Sequence, residues 1–526
     1  MPSGRSLPNA DPTRHWVVWA AFSFILLWRL WAAWMLPVTQ DEAYYFDWAL
    51  RLDWGYFDHP PGVALLGLGA RLAPSSALAG RLGNLLAATL TLLVLIRFYR
   101  ACGLDARQVF LALVMTGATF AGLVSGVLAT PDTPLALAWA LAMHEGLAAL
   151  RDDRRRWVTA GLATGLGLLG KYGMALIGPV FLWAILWADP KALRTPWPYL
   201  GALTALLFFA PNLIWNAQND WLTIRFQFGH GFSTSAGALS ADAVGAALAL
   251  PERASVLEQA GLGERLLAVL SFLGIQAALW GLMLFPLVAG LWRGWRLRAQ
   301  ARPWISDRGA RALLVAGTVF PLAFFGLVAA FSAVQPNWAV LYLLTGIPLA
   351  VLASAGYRSA LLVAAGANVF LVSLYLLHAR TGILPLPDNQ QRILHETHGF
   401  QALARELEGL SGPVFADRYQ LVAMTRFYAP GLEITQWPGL FRASEYVRGQ
   451  LVPPVDREAI ARAGGWWLLS RNPPRPVIPG FRLDRQRLLY DCLREGLLEA
   501  TAGQPNPCAE PIHRWWLLHY VPDPST

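Results

Sequence analysis

The chain has 526 residues, of which 55% are hydrophobic and only 14% charged, a balance that excludes an ordinary soluble protein and marks a multi-pass helical membrane protein. The net charge of +9 does not point to nucleic acid, because the arginines gather in short loops between apolar runs: Arg97, Arg100 and Arg107; Arg151 and Arg154 to Arg156; Arg293, Arg296, Arg298 and Arg302. That is the pattern of positive loops held inside a membrane.

The first predicted span is Val17 to Leu36, about twenty mostly apolar residues at roughly 1.5 Å each. It is too long for a cleavable leader and carries Arg29 and several tryptophans, so it reads as a retained span. A mid-bilayer arginine is normally satisfied inside a bundle, here by a carboxylate such as Glu145. At the outer mouth of the span stands Asp41-Glu42, followed by Ala43-Tyr44-Tyr45-Phe46-Asp47-Trp48, an aromatic stretch suited to lying along a membrane surface. If that stretch is a helix, Tyr45 and Trp48 share the face of Asp41 at i+4 and i+7. Carboxylates against aromatic rings suit binding a sugar and accepting a proton from an attacking hydroxyl. The bland alternative is a solvated helix end. Gly55-Tyr56-Phe57-Asp58-His59-Pro60-Pro61 then turns the chain back, with the prolines fixing the two side chains before them. Asp58 and His59 could ligate a divalent cation or a phosphate, or could simply precede a helix start.

Further spans are read at 80–98, 108–128, 133–150, 157–170, 173–187, 198–214, 266–291, 312–331, 338–355 and 359–378, about eleven in all with the first. A cytoplasmic N-terminus then leaves the loops 37–79, 215–265 and 332–337, and everything after about His378, outside. Thr130-Pro131-Asp132-Thr133-Pro134 marks an outer turn in which Asp132 either caps a helix or faces a site on the side of Asp41. Lys171, one of two lysines in the chain, either snorkels to the interface or meets an anionic phosphate. Arg81 and Arg225 are further phosphate candidates, and Asn337 before Trp338 could bond a head group. The loop 215–265, with Asn216, Asn219, Asp220, Trp221, Arg225 and His230 before Pro251, reads as a lid or as a surface connection.

From about Leu386 the composition changes to Pro-rich segments and short apolar runs, which suggests a small soluble α/β domain over 381–526 behind a membrane domain over 1–380. Val414 to Ala416, Trp466 to Leu469 and Trp515 to Tyr520 read as strands, and Arg418 to Tyr428 as a helix. Cys492 and Cys508 both fall in this tail, in a compartment that permits a disulfide between them. No Walker loop, G-x-G-x-x-G, H-E-x-x-H or G-x-S-x-G occurs in a fitting context, so no nucleotide cofactor is expected.

The Asp41-Glu42-Ala43-Tyr44-Tyr45 and Gly55-to-Pro61 motifs, with Thr130 to Pro134, Gly170-Lys171-Tyr172 and Pro336-Asn337-Trp338, resemble the GT-C membrane glycosyltransferases over roughly residues 15–380. The similarity is to the branch that includes lipid A aminoarabinose transferases, rhizobial lipid A galacturonosyltransferases and, more distantly, protein O-mannosyltransferases. It implies transfer of a sugar from a polyprenyl monophosphate, with inversion, to a lipid, glycan or protein acceptor on the outer side of the cytoplasmic membrane. By resemblance Asp41 is the base or acceptor-orienting group, Asp132 a second acidic residue near the reacting centre, and Asp58 and His59 a pair that helps bind a divalent metal and the lipid phosphate. His59 departs from the lysine of the aminoarabinose transferases, which weakens its phosphate role and leaves the metal role open. Glu42, Tyr45, His59, Arg81, Lys171, Arg225 and Asn337 form the expected substrate-binding set. The competing reading is a flippase or transporter of lipid-linked sugars, which would want ionisable residues near mid-membrane and an inverted repeat.

Overall fold

The computed structural model describes residues 15–231, 261–296, 305–471, 476–501, 505–508 and 511–524. The side chain of His230, the stretch through Pro251, and Arg298 and Arg302 lie outside the described residues. Five helices are long and apolar enough to cross a membrane: His15–Met35, Ala77–Ala101, Trp197–Gln218, Arg308–Ala329 and Arg358–Thr381. Shorter apolar helices, among them Ala106–Ala118 and Tyr342–Ala353, fill the bundle between them.

The run expected as one span over 266–291 is broken. Leu262–Ala278 and Gly281–Arg293 meet at 102°. Gly281 supplies the left-handed backbone (φ +58) that the corner requires. The side chain of Asn368 fills the corner, accepting from Leu282 N at 2.9 Å and donating to the Trp280 and Ala118 carbonyls at 2.9 Å. The backbone groups freed by the bend are thereby satisfied inside protein, the condition for irregular chain at membrane depth.

Glycines set one very close helix crossing. Arg156–Gly170 lies on Trp197–Gln218 so tightly that a Cβ on Gly161 would fall 2.0 Å from the Gly201 carbonyl oxygen, and one on Gly201 would fall 2.4 Å from that of Trp157. Small residues are what allow such approach where lipid supplies no hydrophobic drive.

The tail carries a six-stranded sheet in the order β2-β1-β3-β6-β4-β5. The strands are β1 (Val414–Ala416), β2 (Ile434–Gln436), β3 (Trp466–Ser470), β4 (Phe481–Cys492), β5 (Gly496–Glu499) and β6 (Pro511–Pro522). β2, β1 and β3 run parallel; β3-β6, β6-β4 and β4-β5 are antiparallel. The three strands read from sequence are present, as is the helix, at Tyr419–Tyr428. β4 and β5 were not anticipated, because Arg482, Asp484, Arg485 and Arg487 dilute the apolar signal of β4. Trp437 and Trp466 stack with centroids 4.0 Å apart on one face, and Cys492 and Cys508 are joined by a disulfide.

The aromatic helix after the first span does not turn its rings to lipid. Gln40–Leu50 is a helix, but Gln40 and every residue from Glu42 to Ala49 are buried. It is enclosed by the tail: Tyr44, Trp48 and Phe46 share a core with Leu421, Met424 and Phe427 of Tyr419–Tyr428. An aromatic run of this kind fits a protein interface as well as a headgroup region, and burial against Tyr419, 4.7 Å from the Tyr44 ring, decides for the interface.

Replacing Gly161 by alanine is expected to destabilise the detergent-solubilised protein by about 1–3 kcal/mol through overpacking, read as a fall in thermal midpoint. An unchanged midpoint would show that the crossing yields.

Candidate functional site

The site is built on a buried ion pair. Glu42 is the third residue of its helix and completes a capping box with Thr39, accepting from Thr39 N at 3.2 Å and Thr39 Oγ1 at 3.1 Å. Arg81 of the helix Ala77–Ala101 donates from Nε to Glu42 Oε1 at 2.7 Å and from Nη2 to Oε2 at 2.5 Å. Its other N–H groups go to the carbonyls of Ala33, Leu36 and Pro37 at 2.6–2.9 Å. Glu42 also accepts from Ala129 N at 2.9 Å, just before the Thr130-to-Pro134 turn. With side chains 0% and 1% exposed and their donors committed, Arg81 and Glu42 have nothing to offer a substrate. The substrate-binding role expected of both gives way to a structural one.

One residue along, Asp41 points the other way and is exposed. Tyr419 donates to its Oδ1 at 3.3 Å. Desolvation by the surrounding protein, opposed by Arg442 and reinforced by Asp58, raises its pKa above the usual carboxylate range. Asp58 lies in the same electrostatic cluster and is fully engaged: Tyr44 donates to Oδ2 at 3.0 Å and Arg442 Nη1 to Oδ1 at 2.7 Å. The Arg442 guanidinium sits 4.3 Å from the Tyr419 ring centroid, so it spans the two carboxylates. Glu396 also faces Asp41 and is raised, by burial first and by Asp41 second.

Asp58 and His59 do not fit a divalent cation. A guanidinium already occupies one oxygen of Asp58, and among the described residues no group of three or more His, Cys, Asp or Glu could hold a metal. His59 Nδ1 instead meets Gln227 Nε2 at 3.2 Å, and its ring lies 6.2 Å from that of Tyr45. Gln227 and Thr223 belong to the helix Leu222–Gly231, which packs on this turn: Thr223 bonds the Tyr56 carbonyl at 2.6 Å and Phe226 packs on Phe57. Arg225, on the same helix, is exposed and reaches back to the Asp220 carbonyl at 3.4 Å, so among the described residues no partner ties it to the site. Tyr45 is buried beside Trp48, with centroids 5.0 Å apart, and feels the Asp41 charge.

The second cluster unites three residues far apart in sequence. Lys171 Nζ donates to Asp132 Oδ1 at 2.7 Å, and Asn337 Nδ2 donates to Oδ2 at 2.7 Å. Lys171 stands at the turn after Arg156–Gly170, which packs along Asp132–Arg151 with Gly170 against Pro134 and Leu135. The ammonium has two further donors beyond Asp132. Glu42, through Ala129, is the bridge from this turn to the helix of Asp41.

Tyr419, Arg442, Glu396 and Glu445 escaped sequence reasoning because they come from the tail. The one available signal was the charge density of Arg442 to Arg448. Glu445 Oε2 accepts from Phe57 N at 2.6 Å and Oε1 from Arg448 at 2.7 Å, while Arg448 bonds Asn219 at 2.7 Å. Burial, offset in part by Arg448, pushes Glu445 up to about 7.

Residues 58–215 match the family model described as dolichyl-phosphate-mannose-protein mannosyltransferase. That segment contains Asp58, His59, Arg81, Asp132 and Lys171, and begins after Asp41. The chain is 29% identical over 194 residues to the lipid A galacturonosyltransferase RgtD of Rhizobium johnstonii, a match over 35% of this chain and 40% of that relative's length. Among solved structures it is similar to apo ArnT from Cupriavidus metallidurans (15% identity, 96% of this chain and 97% of that one, TM-score 0.46). It is also similar to the S. cerevisiae Pmt1-Pmt2 complex bound to its sugar donor (17% identity, 47% and 36%, TM-score 0.32).

Glu42→Gln is expected to cost about 3–5 kcal/mol by stranding the buried Arg81 charge, read as lost expression or a sharply lowered thermal midpoint. Because the folded pKa of Glu445 lies above its unfolded value, its contribution to stability is full below about pH 4.5 and is lost as pH rises through about 7. Glu445→Gln should therefore flatten the decline of the thermal midpoint between about pH 4.5 and about pH 7, and an unchanged slope would exclude Glu445 as its source. With the central segment matched to a mannosyltransferase family and a curated relative that glycosylates lipid A, the resemblance to GT-C membrane glycosyltransferases read from the motifs is borne out.

Proposed function

We propose that the protein is an inverting glycosyltransferase that moves a sugar from a polyprenyl-phosphate donor to an acceptor on the outer side of the cytoplasmic membrane, with lipid A or another envelope glycan the favoured acceptor. The observation that carries the reading is Asp41: an accessible carboxylate with a raised pKa, ringed by Tyr419, Arg442 and Glu396 and fixed beside a rigid buried pair.

In this reading an acceptor hydroxyl gives its proton to Asp41 as its oxygen attacks the anomeric carbon. The bond from that carbon to the phosphate oxygen breaks with inversion, and polyprenyl phosphate leaves with the bonding pair. The charge growing on the phosphate needs a cation, which the free donors of Lys171 can supply while Asp132 and Asn337 hold the amine in place. Arg442 donates to Asp58 and lowers the cost of charge on Asp41.

The test is transfer by the purified protein from lipid-linked sugars to envelope glycolipids, followed by mass spectrometry. Asp41→Asn should lower the rate at least 100-fold with the thermal midpoint preserved. Since Asp41 acts ionised, the rate should fall as pH drops through its raised pKa, placing the acidic limb above the ordinary carboxylate range. Wild-type transfer by Asp41→Asn would remove Asp41 from the role of base.

A further inference from the structure

Arg29 lies six residues before the end of the first helix, about 9 Å along its axis from that end. Its residue is 5% exposed. The carboxylate expected to satisfy it is elsewhere: Glu145 bonds Arg156, His144 and Thr159. Among the described residues Arg29 has one hydrogen-bond acceptor, the Ala88 carbonyl at 3.0 Å from Nη1, and no ion pair, while Nε is buried with no acceptor. A guanidinium is always charged and carries five N–H donors, so this is a buried cation with most of its valence unmet.

Beside it is a cavity of about 80 Å³, which Arg29 lines together with Thr91, Ser125, Asp132 and a mostly apolar remainder that includes Leu92 and Ile347. At roughly 10–15 Å³ per water-sized group, that volume holds several such groups, enough for a phosphoryl group with its oxygens. Asp132 does not cancel Arg29, because Lys171 already pairs with it. Counting Arg29 and Lys171 against Asp132, one positive charge remains. The guanidinium is held flat against Gly126, where an added Cβ would fall 2.3 Å from Nε and 2.8 Å from Nη2.

We propose that this cavity is an oxyanion site that takes a phosphate monoester group. An intramembrane cation without a counter-charge, next to a space whose remaining walls are mostly apolar, is relieved by an anion of that size and geometry, which can accept from several guanidinium N–H groups at once. The inference deepens the glycosyltransfer reading by giving the departing lipid phosphate a place below the Asp132–Lys171 pair, and rests on that reading for this source alone.

The experiment is thermal unfolding of the purified full-length protein in detergent with inorganic phosphate, farnesyl phosphate or farnesol. Farnesyl phosphate should raise the midpoint in a saturable way and farnesol should not. A matching rise with inorganic phosphate would show that the phosphate group suffices, and a rise with farnesyl phosphate alone would assign the site to a lipid headgroup. Arg29→Gln and Gly126→Ala, which displaces the guanidinium without removing it, should each weaken the apparent affinity at least tenfold. Absence of any shift in the wild type, or an undiminished shift in both variants, would overturn the proposal. Asp41→Asn separates the two readings: it should lose transfer and keep the phosphate shift.

Discussion

The bidentate contact between Glu42 and Arg81 is the constraint on which the outer end of this molecule depends. It closes the capping box of the helix bearing Asp41, neutralises an arginine that would otherwise be stranded among helix ends, and ties down the three carbonyls where the first span finishes. Through Ala129 it also reaches the turn that starts the helix of Asp132. A pair this buried costs desolvation of both ions, and it holds because every remaining donor of the guanidinium finds an oxygen. What it yields is geometry: two neighbouring carboxylates, one locked inward and the other left facing solvent.

That division also shows what the amino-acid order reveals and where it stops. Asp41 and Glu42 stand out together in the sequence, but consecutive helical residues lie about 100° apart, so one can serve the core while its neighbour serves the surface. Nothing local says which is which. Asp132, Lys171 and Asn337 were readable as separate outer-end residues because apolar runs place them at helix boundaries; their meeting depends on the packing of Arg156–Gly170 along Asp132–Arg151, which glycine spacing only suggests. The long apolar helices and the Trp-rich strands follow from composition and alternation, while the sequence only permitted the disulfide that joins the two tail cysteines. The break at Gly281 does not, since it requires Asn368 from a helix some ninety residues later.

The tail was legible as an α/β unit and illegible as part of the site. Tyr419 and Arg442 reach Asp41 and Asp58 across separations of more than 370 residues, and in sequence they are an ordinary tyrosine and arginine. Arg426 and Tyr446 add a second set of bonds to Asp47, each at 2.7 Å, so the aromatic helix is clamped along its length. The helix and the tail therefore form one polar and aromatic interface, in which phenol rings provide the packing while their hydroxyls satisfy buried carboxylates.

This arrangement has a consequence for biogenesis. The residues flanking Asp41 at the start of the chain are made long before those that enclose it, and Arg442 leaves the ribosome only after the final long apolar helix has been synthesised. During that interval the aromatic helix lacks its cover and the carboxylates lack their cation, so a chain halted before its last hundred residues would hold the long apolar helices and lack both Arg442 and Tyr446. Completion of translation is thus required before Asp58 gains its cation and the surroundings of Asp41 close.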